Sequence, residues 1–217
     1  LMTSTTSIKE LMTSTTSIKA SMTSTTSIKE PELNLRITII LPFDPQNIPD
    51  GMMPMGETVH HEAKFGGHPG LDFQWYANEA PKLYSSAKGK IEELVKDGED
   101  WTMTLYHIDF DKKYYTQYGL GSYNPKLKVG DEVRKYTFLG YVPNPHPEDN
   151  MYGTHWEFGI ACIGEQCNFG SHGDRLCPMT YFDENSRKLI EKIWLSATYE
   201  DKDQFPLICN GVYERKN

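Results

Sequence analysis

Apolar and polar residues alternate along several short stretches of this chain, which is the pattern of half-buried β-strands. The clearest stretch runs from Tyr152 to Ile160, where Gly153, His155 and Glu157 share one face and the residues between them share the other. Glycine, proline, asparagine and aspartate separate the stretches and indicate turns. We predict strands over residues 35–41, 71–76, 101–110, 114–118, 136–142 and 155–161.

A convincing helical pattern occurs over residues 185–197. Asp183 is a suitable N-cap, and Leu189, Ile190, Ile193 and Trp194 lie on one face at helical spacing. Residues 86–96 fit either one helical turn or a strand, and their strand-rich context favours the strand. Residues 42–56 are rich in proline, glycine and methionine, which predicts a loop. The whole pattern predicts a mainly β fold of antiparallel strands, two-sheeted or barrel-like, with a C-terminal helix.

The first 30 residues are a tandem repeat with a period of ten residues. The sequence Met-Thr-Ser-Thr-Thr-Ser-Ile-Lys occurs at residues 2–9, 12–19 and 22–29. Threonine and isoleucine favour extended chain, so each unit could pair as a strand with a sheet edge on the same or another copy. The alternative is a low-complexity tail. We divide the chain into a repeat tail (1–30), a β domain (31–162) and a cysteine-containing extension with one helix (163–217).

The charge of the chain limits its partners. Lysine and arginine number 22 against 30 aspartates and glutamates, the net charge is −8, and no basic block is present. Phosphate-rich nucleic acid is therefore excluded as a partner, and a metal ion or a cationic or neutral ligand fits better. The sequence contains no run of about 18 apolar residues, so we predict no transmembrane helix. No signal peptide is recognisable, so an exported form would have lost its signal.

The four cysteines all lie in the last part of the chain, at Cys162, Cys167, Cys177 and Cys209. The paired C-x2-C spacing of a structural zinc site is absent. Two disulfides in an oxidising compartment are the favoured interpretation, and four buried thiols are the alternative. A bridge from Cys177 to Cys209 would fasten the helix to the β domain, although spacing alone allows three pairings.

Two runs carry residues that bind metals. His68 and Asp72 lie four residues apart where a glycine-rich loop enters a strand, and His155 lies on the alternating stretch. Imidazole nitrogen and carboxylate oxygen are both common zinc ligands. Taken singly, H-x-x-x-D also arises by chance, and a histidine between aromatic residues is equally a packed core histidine. The separate runs leave both interpretations open.

Together with the sequence between them, the two runs resemble the lysostaphin-type zinc endopeptidases, the LytM-like peptidoglycan hydrolases. That family has H-x-G-x-D early, Y-x-H-L in the middle and H-x-H-F-E late. Residues 68–72 match the first pattern, and residues 155–157 match the end of the last. Segments 81–91, 127–133 and 138–142 resemble family strands in the same order, so the resemblance extends over residues 55–162.

The resemblance implies two antiparallel sheets that frame a groove with a zinc ion at its floor. It implies that His68, Asp72 and His155 are the ligands and that a fourth position stays open, as in catalytic zinc sites. It also implies a cell-wall-like peptide substrate and a secreted, periplasmic or cell-surface location.

The chain departs from the family at two histidines. Gly119 stands where Y-x-H-L has its histidine, and Gly153 stands at the first histidine of H-x-H. In the family these histidines orient and deprotonate the attacking water and stabilise the developing oxyanion, contributions worth about 100-fold or more each. We therefore expect weak or absent hydrolysis unless other groups substitute. The candidate substitutes are His107, Tyr115, Tyr118 and Glu157.

Two further hypotheses remain open on the sequence. A structural or assembly protein would keep the fold and the metal for stability and would self-associate through residues 1–30. A binding module without metal would use the aromatic residues of the groove to hold a peptide or a glycan.

Overall fold

The computed structural model describes residues 37–58, 61–62, 67–109, 112–145, 150–161, 174–197 and 202–210. All of them belong to the unit Arg36–Asn217. The repeat at residues 1–30, Cys162 and Cys167 lie outside the described residues. Self-association through the repeat, any bridge between Cys162 and Cys167, and the three-part division of the chain therefore stay predictions.

Thirteen strands, one α-helix and a short 3-10 helix (Pro178–Thr180) make up the regular structure of the described residues. In chain order the strands and the α-helix are β1 (Gly51–Met53), β2 (Met55–Gly56), β3 (Leu71–Trp75), β4 (Lys82–Tyr84), β5 (Gly89–Asp97), β6 (Asp100–Asp109), β7 (Lys112–Leu120), β8 (Ser122–Tyr123), β9 (Glu132–Val133), β10 (Phe138–Tyr141), β11 (Tyr152–Ile160), β12 (Asp174–Arg175), α1 (Glu184–Ser196) and β13 (Cys209–Asn210).

The strands form one large sheet and two small ones. The large sheet is antiparallel and has the order β1-β3-β11-β7-β6-β5-β9, and β12 adds to β11. Its end strands β1 and β9 do not pair with each other, so the sheet is open and not a closed barrel. The second sheet has the order β4-β10-β8, and β13 pairs in parallel with β2. The predicted mainly β, antiparallel fold with a C-terminal helix is confirmed.

The predicted helix forms as α1, one residue earlier at each end than expected. The carboxylate of Asp183 accepts a hydrogen bond from the backbone N–H of Ser186, which satisfies one of the free donors of the first turn. Ile190, Ile193 and Trp194 are buried on the apolar face. The ambiguous stretch 86–96 is largely strand, in β5. The described part of the chain contains no helix with the length and apolarity that a membrane crossing requires.

Two predictions near the start of the domain were wrong. The described residues of the predicted strand 35–41 form only one isolated β-bridge, between Ile39 and Phe182. No strand forms because consecutive backbone N–H groups donate to acceptors in three different segments. Ile39 donates to the carbonyl of Tyr181, Ile40 to that of Ser86, and Leu41 to the hydroxyl of Ser186. The predicted loop 42–56 contains the short strands β1 and β2.

Strands β3 and β11 each separate a packed face from a solvent-facing one. Leu71, Phe73 and Trp75 of β3 are buried in the core, whereas the alternate residues Asp72 and Gln74 are partly exposed. On β11, Trp156 and Phe158 belong to the same core. Since paired residues of neighbouring strands point to the same side, the face that carries Asp72 also carries His155.

The disulfide Cys177–Cys209 closes the C-terminal segment over α1. Its Cα atoms are 5.9 Å apart and its cysteines are separated by 32 residues. Cys177 follows β12, which precedes α1 in sequence, and Cys209 lies in β13, which follows α1. The bridge therefore links the chain before the helix to the chain after it. The sequence alone leaves this bridge open as one of three possible pairings.

Candidate metal centre

Three side chains from distant parts of the sequence meet on the solvent-facing side of β3 and β11. Asp72 lies directly opposite His155 in the antiparallel pair, 83 residues away in sequence. His68 precedes β3 and is held by two backbone hydrogen bonds with Gly56 of β2. One ligand atom of each of the three residues lies within 4.8 Å of the others. The structure therefore brings together the three residues predicted as ligands.

A hydrogen bond from Nδ1 fixes the orientation and the tautomer of the His68 ring. Nδ1 lies 2.8 Å from the carbonyl oxygen of Pro54, which can only accept, so Nδ1 carries the proton and donates it. The lone pair of Nε2 then points to Oδ1 of Asp72, at 3.3 Å. The side chain is almost fully buried, so no solvent competes for this orientation.

The ring of His155 is also oriented by a hydrogen bond, but from Nε2 and not from Nδ1. Nε2 lies 3.0 Å from Oε1 of Glu157, and a carboxylate accepts this proton. Nδ1 lies 2.7 Å from Oδ1 of Asp72. In the neutral ring the lone pair of Nδ1 would face the carboxylate of Asp72, as Nε2 of His68 does.

This arrangement matches what a zinc site needs. Three acceptor atoms face one another, and such a group is repulsive unless a proton or a metal ion lies between its members. Histidine ligands of metals commonly donate their other ring N–H to a carbonyl or a carboxylate, and both histidines do so here. Two nitrogens and one oxygen form a suitable donor set for zinc with one position left open.

The ionisation of the group shows how strongly its members interact. Burial by itself raises the pKa of Asp72, but the interactions with its histidine neighbours, the hydrogen bond from His155 first among them, together outweigh it and hold this pKa well below its usual range. Burial by itself lowers the pKa of His155, but hydrogen bonds to Asp72 and Glu157 raise it to about 9. Without a metal, a proton on His155 therefore neutralises the cluster, and a metal ion has to displace that proton.

A cavity of about 340 Å³ opens beside Asp72 and His155. Gly119 and Gly153 lie in its wall. A Cβ atom built on Gly153 would have only the carbonyl oxygen of Phe73 within 4 Å, at 3.9 Å. A Cβ atom on Gly119 would make van der Waals contacts at 3.4 Å and beyond. Both glycines thus lie beside the ligands with room for a side chain, where the family pattern has histidines.

Two of the candidate substitutes lie on the wrong side of the sheet. Tyr118 pairs with Trp156, and its hydroxyl accepts a hydrogen bond from the N–H of Ser86 in the core. His107 is fully buried and pairs with Tyr114 of β7. Since Tyr114 and Tyr118 are an even number of residues apart on one strand, His107 lies on the same side of the sheet as Tyr118. Neither side chain reaches the cavity beside His155.

The other two candidate substitutes are bound to each other. The hydroxyl of Tyr115 donates a hydrogen bond to Oε2 of Glu157 at 3.1 Å, and Oε1 of Glu157 accepts from His155. Burial and the negative charge of Glu157 raise the pKa of Tyr115 far above its usual value. Arg175 forms an ion pair with Glu157, with Nε 3.5 Å from Oε2. Sequence reasoning missed Arg175, because nothing in the motif pattern connects residue 175 with residue 157.

The buried His107 gives the folded protein a specific sensitivity to acid. Its Nδ1–H donates to the carbonyl of Lys88, its Nε2 accepts from Thr116, and burial lowers its pKa from 6.5 to about 4. Well above pH 6.5 the ring is neutral in both the folded and the unfolded protein. Below pH 6.5 the unfolded chain binds a proton that the folded protein does not, so the free energy of unfolding falls until the pH passes the folded-state pKa of about 4. We expect a loss of about 2 kcal/mol between about pH 7.5 and pH 5.

The measurement is urea unfolding of the wild type and of His107→Gln at both pH values. The glutamine variant should be less stable at neutral pH, and the difference between the two proteins should shrink by that amount at the lower pH. A difference that does not change with pH would contradict a neutral, buried His107.

No protein-family model matches the chain, and no curated protein sequence matches it. Solved structures similar to it include a zinc-containing peptidase from Vibrio cholerae, with 18% identity over 58% of this chain and a TM-score of 0.41. Lysostaphin from Staphylococcus simulans has 21% identity over 59% of this chain and a TM-score of 0.42. A SpoIIIAH–SpoIIQ complex has 15% identity over 66% of this chain, 99% of the matched chain and a TM-score of 0.46.

The matches span 37% of the Vibrio peptidase chain and 48% of the lysostaphin chain. At these identities the similarity concerns the fold alone, so a function has to be argued from this chain's own residues.

Proposed function

We propose that this chain is a zinc-binding domain with a peptide groove and that its hydrolytic activity is impaired. The observation that supports it most is the cluster of three ligand atoms from His68, Asp72 and His155. Two of these atoms are turned inward by hydrogen bonds that the opposite ring nitrogens make with Pro54 and Glu157. Each histidine thus directs its second ring nitrogen at the carboxylate of Asp72.

Zinc, when bound at such a site, supplies a Lewis acid that polarises a carbonyl group. The chain's own residues would hold the ion and keep the cavity beside it open for an extended peptide. Asp97 at the end of β5 and Asp100 at the start of β6 line the cavity together with Asp72. These carboxylates suit a neutral or cationic peptide better than an acidic one.

The impairment follows from what surrounds the ligands. Hydrolysis needs a group that takes a proton from water and a donor for the developing oxyanion. Gly119 and Gly153 provide neither. Glu157 has both oxygens engaged, by His155 on one side and by Tyr115 and Arg175 on the other. The proposal is therefore a metal-binding protein that hydrolyses peptides slowly or not at all.

A secreted, periplasmic or cell-surface location belongs to the same proposal. The Cys177–Cys209 disulfide is typical of proteins in oxidising compartments. A cell-wall-like peptide as the ligand of the groove rests on the motif resemblance together with the cavity beside the ligands.

The test is the zinc content of the purified wild type and of Asp72→Asn and His155→Ala, by elemental mass spectrometry after dialysis. We expect one zinc ion per chain in the wild type and almost none in either variant. Even the loss of a residue that only orients a ligand weakens metal affinity by about 10–100-fold, so the loss of a ligand should exceed that.

Gln74→Ala is the matched control, because Gln74 lines the same cavity on the same strand as Asp72 but belongs to no ligand cluster. It should keep the full zinc content. A wild-type protein without metal, or a His155→Ala protein that keeps its zinc, would refute the site. The first of these outcomes would favour the binding module without metal.

A further inference from the structure

The C-terminal segment reaches the metal centre from outside the region that the motif resemblance covers. Strand β12 pairs with the end of β11, with Arg175 opposite Gly159. From there the side chain of Arg175 extends along the strand to Glu157, with Nε 3.5 Å from Oε2. Glu157 is almost completely buried, whereas Arg175 is about one third exposed.

Glu157 connects this arginine with a ligand. Its Oε1 accepts the Nε2 proton of His155 at 3.0 Å, and its Oε2 accepts from the hydroxyl of Tyr115. The two oxygens belong to one rigid carboxylate, so the groups that fix Oε2 also fix the direction in which Oε1 points. Arg175 and Tyr115 therefore orient the acceptor that determines which nitrogen of His155 carries the proton.

The position of that proton matters because both nitrogens of His155 have a carboxylate neighbour. If Glu157 turned away, a neutral His155 would place its proton on Nδ1 and donate it to Asp72, which is 2.7 Å away. The nitrogen proposed as a ligand would then be blocked. A correctly placed Glu157 keeps the proton on Nε2 and leaves Nδ1 free to bind.

The other end of the C-terminal segment contacts the second histidine ligand through the backbone. Strand β13 pairs with β2, and Gly56 of β2 exchanges two backbone hydrogen bonds with His68. The Cys177–Cys209 bridge joins Cys177, two residues after Arg175, to β13. The segment is thus fastened near both histidines, and this fixes the backbone from which Arg175 extends.

We propose that Arg175 is a positioning residue of the metal centre, which holds Glu157 so that His155 presents Nδ1 to the ion. The proposal rests on the proposed zinc site. It assigns to the C-terminal segment a role in metal affinity in addition to its role in packing.

The experiment is a titration of the metal-free full chain with Co²⁺, whose visible absorption reports both the affinity and the geometry of the ligands. Arg175→Ala should bind Co²⁺ about 10–100-fold more weakly than the wild type, with an altered absorption spectrum. Arg175→Lys keeps the positive charge and should regain part of the lost affinity. The thermal unfolding of the metal-free Arg175→Ala protein should stay close to that of the wild type.

Arg187→Ala is the control, because Arg187 is an exposed arginine of α1 that pairs with Glu191, within the same C-terminal segment. It should bind Co²⁺ as the wild type does. If Arg175→Ala matches Arg187→Ala in affinity and spectrum while the wild type binds the metal, the positioning role is wrong and the zinc site stands. If the wild type itself binds neither Co²⁺ nor Zn²⁺, both proposals fail.

Discussion

Replacing Gly119 and Gly153 together by histidine is expected to raise peptide hydrolysis by the zinc-loaded protein at least about 100-fold. Both positions line the cavity beside Asp72 and His155, and a Cβ atom at either would meet no neighbour closer than 3.4 Å. The new imidazoles would supply the acid–base group and the oxyanion donor that, in the proposed function, are missing from the site. The rate is measured on a pool of quenched fluorogenic peptides, with and without a chelator.

The double alanine variant, Gly119→Ala with Gly153→Ala, is the matched control, since it adds both Cβ atoms without the imidazoles. Equal rates for the histidine and alanine proteins, each with one zinc ion, would show that the missing histidines do not limit this site. A wild type that already hydrolyses peptides as fast as the histidine variant would overturn the proposed impairment. Tighter zinc binding without hydrolysis would indicate that a new histidine had closed the open position, which would also count against the prediction.

Removing the disulfide by Cys177→Ala with Cys209→Ala is expected to lower the free energy of unfolding by about 3–4 kcal/mol. The bridge closes a loop of 32 residues in sequence, and the unfolded chain regains the corresponding freedom when the bridge is lost. The measurement is urea unfolding with a chelator present, so that any change in metal binding does not contribute.

The reference is the wild type with the Cys177–Cys209 bridge intact, in the same buffer and without reductant. Substitution isolates this bridge better than reduction does, because a reductant would also break any bridge that Cys162 and Cys167 form. A loss of less than about 1 kcal/mol would mean that the unfolded chain is already restricted between these residues or that the bridge strains the fold.

The site was more predictable from the sequence than most of the loops around it. Strict alternation along 152–160 determined both that β11 is a strand and that His155 shares a face with Gly153 and Glu157. The early run also alternates, which separates Asp72 from the aromatic residues that enter the core. Strand pairing then places Asp72 directly against His155, a neighbour relation that the sequence pattern does not specify.

The groups around the ligands could not be predicted in the same way. The carbonyl of Pro54 and the guanidinium of Arg175 act through contacts between distant segments, for which no periodic pattern exists. His107 was a reasonable substitute by residue type, but its face of the sheet depends on counting residues across β6 and β7. The predicted strand 35–41 failed because continuous apolar sequence marks burial without specifying which neighbours satisfy the backbone.

The direct pairing of Asp72 with His155 also has a consequence for how the chain selects its fold. A slip of β3 by one residue against β11 would turn Asp72 toward the aromatic core and expose Phe73 in the groove. Burying an unpaired carboxylate costs several kcal/mol, and exposing a large aromatic side chain adds to that. The neighbouring registers are therefore excluded by the ligand residues themselves. The pair proposed to bind a metal in the folded state thus also specifies the alignment of the two strands that carry it.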